Sequence, residues 1–246
     1  MMNILKSEFY KLKHTWVPWA HFILPVLYAL LFYGAATITG LKNFSDMDII
    51  QNYFVLLGAV LPIICGVITS KVVDMEASAG RFQVILSTTK SRSKAYGGKL
   101  IMLLLSFLFS ISLAVFIFAM LFGNQRTMAW LIELLLVFIG CLSTYMIHLW
   151  VSIMLGGGAS IGLGFVETLL ALLSITNLGE NIWYFLPCTW ASRLSATYIV
   201  GSELADSSYL IKEFTMWGYV AIPITVVIFT GSLLWFNRWG GKSISE

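Results

Sequence analysis

The sequence predicts an all-α integral membrane protein with six transmembrane helices, and three observations carry that reading. Of the 246 residues, 59% are hydrophobic and only 11% charged, against roughly 45–50% and about 25% in a soluble domain. The mean hydropathy is +0.86. Six apolar stretches also approach or exceed the roughly 20 residues that a spanning helix needs. Together they use more than half the chain, so a water-soluble reading is excluded and no segment is left for a separate catalytic or nucleotide-binding domain. Residues 1–246 read as a single transmembrane domain. Cys65, Cys141 and Cys188 are scattered and odd in number, which suggests neither a disulfide framework nor a metal cluster. A net charge of +3 is too small to imply nucleic acid.

The first element is an amphipathic helix over residues 2–14. Leu5, Phe9, Leu12 and Trp16 fall at spacings of 4, 3 and 4, with Lys6, Lys11 and Lys13 around the other face. Such a helix suits an interface where basic residues meet anionic headgroups. It reads either as a topogenic anchor or as an elbow that moves with the first span. The spans follow at about 16–39, 51–70, 100–122, 130–154, 159–176 and 216–237. The first is too long and too aromatic for a cleaved signal peptide. With the N-terminus inside, 11 basic residues fall on inner segments and 4, Lys42, Arg126, Arg193 and Lys212, on outer ones. Both termini are therefore expected on the cytoplasmic side of the membrane. Trp16 and Trp19, Trp130 and Trp150, and Trp217 and Trp235 mark the ends of spans 1, 4 and 6, as interfacial aromatics should. No internal repeat is visible.

The inner loop 71–99 is patterned. Val72, Met75, Ala79, Phe82 and Leu86 recur at spacings of 3, 4, 3 and 4, which predicts a short helix with one apolar stripe. Asp74, Glu76, Ser78, Arg81 and Gln83 are expected to face away from it. Either the helix lies on the inner leaflet or it docks a cytoplasmic partner; acidic Asp74 and Glu76 favour the partner, because they gain nothing from an anionic surface. The outer segment 177–215 is too long for a turn and too apolar for a free loop. Trp183, Leu186, Trp190, Leu194 and Tyr198, interrupted by Pro187, predict one or two short helices that lie in the outer interface or dip into it.

An N-terminal amphipathic helix, six spans, and a loop reading Glu76-x-x-x-Gly80-Arg81, then Leu86, Ser91-Arg92 and Lys99, resemble the type-2 ABC exporter permeases. The resemblance covers essentially the full length. It implies that the loop carries a coupling helix, Asp74, Met75, Glu76, Ala79, Gly80, Arg81, Phe82 and Leu86, seated in a groove of an ATPase subunit. It also implies an extracellular cap around Trp183, Pro187 and Trp190 over an exit path. Within the family, Leu5-Lys6-Ser7-Glu8-Phe9-x-Lys11-Leu12-Lys13 and Trp183-Tyr184-x-x-Pro187-Cys188-Thr189-Trp190 look like the lantibiotic-immunity permeases. That narrower likeness implies a bacterial cytoplasmic membrane, two copies of an ATPase that binds the ATP and magnesium, and a second, paralogous permease subunit. No cofactor is expected on this chain.

Four ionisable residues fall inside the spans: His21, Glu133, His148 and Glu167. Such groups usually face protein or a polar cavity. Glu167, near mid-depth, reads either as a structurally satisfied carboxyl or as part of a substrate path. His148 reads as a buried neutral histidine with a partner, and Glu133 and His21 lie where they can reach headgroups; Glu167, His148 and Glu133 are the candidates for a substrate path or a buried polar group. Gly158-x-x-x-Gly162 and Ser160-x-x-x-Gly164 permit close helix contact, within the chain or with a second permease. Pro25, Pro62 and Pro223 should kink their spans. The tail Gly240-Gly241-Lys242-Ser243 echoes a phosphate-binding loop, but Phe236 stands where its first glycine belongs and no strand or helix can follow. No His-Glu-x-x-His or paired-glutamate motif is present, so an enzyme is disfavoured. The leading expectation is a permease subunit of an ATP-driven exporter; the alternatives are a self-contained channel or carrier, and a sensor or assembly factor.

Overall fold

The structure, a computed structural model, describes residues 2–38, 44–80, 82, 91–123, 127–204 and 206–241, apart from the side chain of Asn177. The helices are α1 (Met2–Leu12), α2 (Val17–Ile38), α3 (Asp46–Ser78), α4 (Arg92–Phe122), α5 (Thr127–Leu155), α6 (Gly157–Ser174), α7 (Trp190–Glu203) and α8 (Ser208–Arg238). Single 3-10 turns occupy Asn177–Gly179, Trp183–Phe185 and Pro187–Thr189. Among the described residues six helices, α2 to α6 and α8, are long and apolar enough to cross a membrane, so the protein is an all-α, multi-pass membrane protein. Several run past their expected limits. Residues 46–50 and 71–78 extend the second span at both ends, 92–99 precede the third, and 208–215 precede the sixth. Hydropathy locates only the lipid-immersed part of a helix, whereas backbone hydrogen bonding continues into water wherever a cap or packing supports it. At the start of α3 the cap is visible: Ser45 accepts from the Asp48 amide while the Asp48 carboxylate accepts from the Ser45 amide.

Packing organises the bundle around α3, the most enclosed span. Its closest neighbour is α6. A Cβ on Gly66 would stand 2.6 Å from the Ser160 carbonyl oxygen, and one on Gly164 would stand 2.7 Å from that of Pro62. The Ser160-x-x-x-Gly164 stripe is thus spent inside the chain, while Gly158 and Gly162 meet nothing within 4 Å. Pro62 interrupts the α3 ladder, and the Ile63 amide donates to Thr168 Oγ1 of α6 at 3.2 Å. An aromatic column fills the other side of α3. Tyr53 stacks on Phe118 with ring centroids 3.8 Å apart, flanked by Phe32 and Trp130.

The first helix does not turn its whole expected apolar stripe to one surrounding. The side turned to protein is Ile4, Glu8 and Leu12, while Phe9 and Trp16 remain exposed. The stripe through Leu5, Phe9, Leu12 and Trp16 is split between a side packed on protein and an exposed side. A second departure concerns residues 177–203. Thr144, about 25 Å along α5 from its start at 1.5 Å per residue, donates to the Pro187 carbonyl at 3.3 Å. The start of α7 is equally deep: a Cβ on Gly140 would lie 2.6 Å from Ala191 Cα, and one on Gly58 would overlap the Ser192 amide. The segment therefore descends into the bundle at Pro187–Thr189 and returns as α7. Of the two expected dispositions, interfacial or dipping, it takes the dipping one. Irregular backbone at such depth requires burial in protein, and here Thr144, Thr189 and Trp190 saturate it.

Candidate functional site

Three constellations concentrate the buried polar groups. The first lies on the side that carries both chain ends. Glu8 of α1, Glu76 near the end of α3 and Lys99 of α4 are 6%, 7% and 4% exposed, respectively. With the more open Lys11 they form a ring of alternating charge. Lys11 Nζ stands 2.7 Å from Glu8 and 2.6 Å from Glu76; Lys99 Nζ stands 2.5 Å from Glu8 and 2.9 Å from Glu76. Each amine is shared by two carboxylates, so burial leaves no net charge. Burial works against the charge on Lys11, but its bonds to Glu76 and Glu8 outweigh that and hold its pKa above the ordinary 10.5.

Beside this ring a cleft of about 280 Å³ is lined by Lys11, Met75, Glu76, Ala79, Gly80 and Phe82. Five of the eight residues implicated in coupling thus converge there. Asp74 points elsewhere, accepting from Ser70 Oγ at 3.2 Å, and Arg81 and Leu86 lie outside the described residues. The expected helix through Val72, Met75, Ala79 and Phe82 is not continuous. It is the end of α3, which stops at Ser78; Gly80 then takes φ +135° and Phe82 φ +67°, both incompatible with a right-handed helix. Two side chains accordingly differ from expectation. Glu76, expected to face away, is held inward by two lysines. Phe82, read as an anchor for a partner, is 3% exposed and packs edge-on against Trp239 with centroids 5.0 Å apart. Arg92 and Ser93 tie the start of α4 to the same C-terminal turn, through the Asn237 and Trp239 carbonyls and Asn237 Oδ1.

The second constellation lies within the bundle. Glu167 Oε2 is 2.9 Å from His148 Nε2, and His148 Nδ1 is 2.9 Å from Ser160 Oγ. Ser160 continues to Thr69 Oγ1 at 3.2 Å, which accepts from Ser152 Oγ at 3.3 Å. The order acid, imidazole, hydroxyl is that of an activated serine. Ser160, however, is wholly buried against α3 and α5, so no substrate carbonyl can reach it. The arrangement clasps α3, α5 and α6 together. Sequence reading singled out Glu167 and His148 but missed Thr69, Ser152 and Ser160 as their continuation. Helical arithmetic carried a trace of it, since His148 and Ser152 are four apart and Ser160 and Glu167 seven apart, each pair on one face.

The third lies toward the opposite side. Trp183 and Trp190 are almost fully buried, with Leu194 and Ala221. Trp190 Nε1 donates to the Tyr184 carbonyl at 3.0 Å, and Arg193 sits 5.4 Å over the Trp183 ring. Trp183, Pro187 and Trp190 thus plug the bundle rather than cover it. His21, expected to reach headgroups, is instead 8% exposed, and Glu133, read either as reaching headgroups or as a buried polar group, is buried at 2% exposure. Neither Glu133 oxygen has a hydrogen-bond partner among the described residues.

Comparison with known proteins agrees with this architecture. No curated protein and no solved structure matches the chain. A family model does match: residues 4–171, from α1 almost to the end of α6, fit that of the ABC-2 family transporter proteins. On that match, over more than half its length and including the charge ring, the cleft and the buried clasp, the chain belongs to the ABC-2 transporter family, as its membrane-spanning permease component.

Proposed function

We propose that the protein is one permease subunit of an ATP-driven exporter that expels a cationic, lantibiotic-type antimicrobial peptide from the bacterial cytoplasmic membrane, giving its host self-immunity. ATP and magnesium bind to two copies of a separate ATPase, and a second, paralogous permease completes the path. The observation that carries the coupling part is the convergence of Met75, Glu76, Ala79, Gly80 and Phe82 on one cleft, backed by a neutral ring of buried charge. Such a base resists deformation, as a surface that receives mechanical work must. In this reading the ATPase engages the chain from Ala79 onward, with Arg81 and Leu86 among its contacts, and Phe82 acts by fixing the bend rather than by entering the ATPase. The distribution of basic residues supports a cytoplasmic position for this end. The peptide cargo is supported by the likeness of the Leu5–Lys13 and Trp183–Trp190 segments to the immunity permeases.

Reconstitution with copurified partners tests the proposal. A thioether-bridged cationic peptide should stimulate ATP hydrolysis, and cells that make the complex should survive it. Stimulation by lipids alone would replace the cargo. Ion flux through the isolated chain without an ATPase would replace the mechanism with a channel. Labelling of a cysteine at Ser91 by an impermeant reagent in intact cells would invert the orientation.

A further inference from the structure

The ring of Glu8, Lys11, Glu76 and Lys99 joins three helices far apart in sequence. We infer that it makes α1 a fixed part of the coupling end. Displacement of the chain after Ala79 is then delivered to α1, α3 and α4 as one body, and these four side chains are positioning residues for coupling. The inference rests on the proposed ATPase-driven function but assigns a role that function does not require.

Three observations carry it. First, Glu8 has one oxygen on Lys11 and the other on Lys99, and Glu76 Oε1 takes both amines. Rotating α1 away from α3 or α4 would break several of these at once and strand charges at sites 4–7% exposed. Second, α1 packs on α4 beside the ring: the Ile4 side chain lies against Gly98, where an added Cβ would stand 3.6 Å from Ile4 Cβ. Third, the link to α2 is local. Thr15 Oγ1 donates to the Leu12 carbonyl at 2.8 Å and accepts from the Val17 amide at 3.2 Å. The ring includes no residue of α2. An elbow that swings with α2 would need the reverse, a loose α1–α4 contact. Any bend between α1 and α2 therefore falls at Lys13–Trp16.

The geometry supplies its own test. A Cβ separation of 3.6 Å at positions 4 and 98 lies within the range a disulfide spans, and the native cysteines are buried. In the complete complex in liposomes, the Ile4→Cys/Gly98→Cys pair should cross-link, with substrate-stimulated hydrolysis and transport within about twofold of the reduced form. Lys99→Met, compared at matched abundance, should lower the stimulation at least about fivefold, and the cross-link in that background should restore it. The rescue separates lost position from lost folding. Stimulation abolished by the cross-link and recovered with reductant would overturn the inference in favour of a moving elbow; so would unchanged coupling in Lys99→Met, or failure of the cross-link to rescue it. A wild-type chain that recruits no ATPase would instead sink the functional reading.

Discussion

The two ends of the bundle treat buried carboxyl groups in opposite ways. On the side of the chain termini, Glu8 and Glu76 each meet two lysines. Toward the other side, Glu133 is buried more deeply yet has no hydrogen-bond partner among the described residues, and Arg193, the basic residue of α7, is spent on Trp183 and the Ser174 carbonyl. Glu167 is intermediate, with one histidine. The difference is instructive because an ion pair costs desolvation whether or not it is strong, and returns that cost only when the geometry is held. The chain retains charge where three helices must stay registered. Where the re-entrant segment packs mainly through apolar surface and tryptophan, its one charged anchor, Arg193, meets a ring face and a carbonyl rather than a carboxylate.

The largest effect should come from unbalancing the ring. Lys99→Met leaves two buried carboxylates with one half-open amine and should cost about 3–5 kcal/mol, seen as a lowered Tm in detergent. A silent Lys99→Met would erase the contrast between the two ends. The clasp comes next. Glu167→Leu strands His148 Nε2 and should cost about 1–3 kcal/mol, whereas Glu167→Gln keeps a hydrogen-bonding group and should be nearly silent in stability. If the Gln variant assembles normally but loses protection against a cationic peptide, Glu167 belongs to the transport path. Glu133 sharpens the comparison from the other end: with no well-formed hydrogen bond to lose and only the nearby Ser195 hydroxyl to leave behind, Glu133→Leu should change stability by less than about 1 kcal/mol, or raise it. A large loss there would reveal a partner outside this chain.

The smallest effect is on pH. Lys11 has a raised pKa in the fold, so its contribution is fully present below its ordinary value of 10.5 and is lost as pH rises through the folded one. The attachment of α1 should therefore be flat across the neutral range and loosen in alkali. It should loosen again in acid, where Glu76 takes up its proton: burial pushes the Glu76 pKa up, but Lys99 and Lys11 outweigh that and hold it below its ordinary 4.5. The mobility of a spin label at Ser7 reads both. Loosening near neutrality would show that another group holds the ring.

Much of the fold was legible because lipid imposes a simple rule. Apolar runs of about 20 residues must be helices, so six spans and an all-α class follow from composition and length alone. Helical period also grouped Met75, Ala79 and Phe82, which do share one cleft, but it put Glu76 on the opposite face, whereas Glu76 lines the same cleft. It failed at Gly80 and Phe82, because left-handed backbone at a non-glycine residue leaves no trace in hydrophobic spacing. It also misjudged α1: a 3.6-residue period reports which residues share a face, not whether protein or lipid lies opposite. The same limit hid the partners of the buried charges. Glu8 and Lys99 are 91 residues apart in sequence, and His148 and Glu167 sit on different helices. The sequence by itself determined how many times the chain crosses and which residues need lipid, since those depend on local transfer free energy. Only the tertiary structure decided which charge meets which, and that residues 177–203 turn inward, because both depend on how separate helices pack.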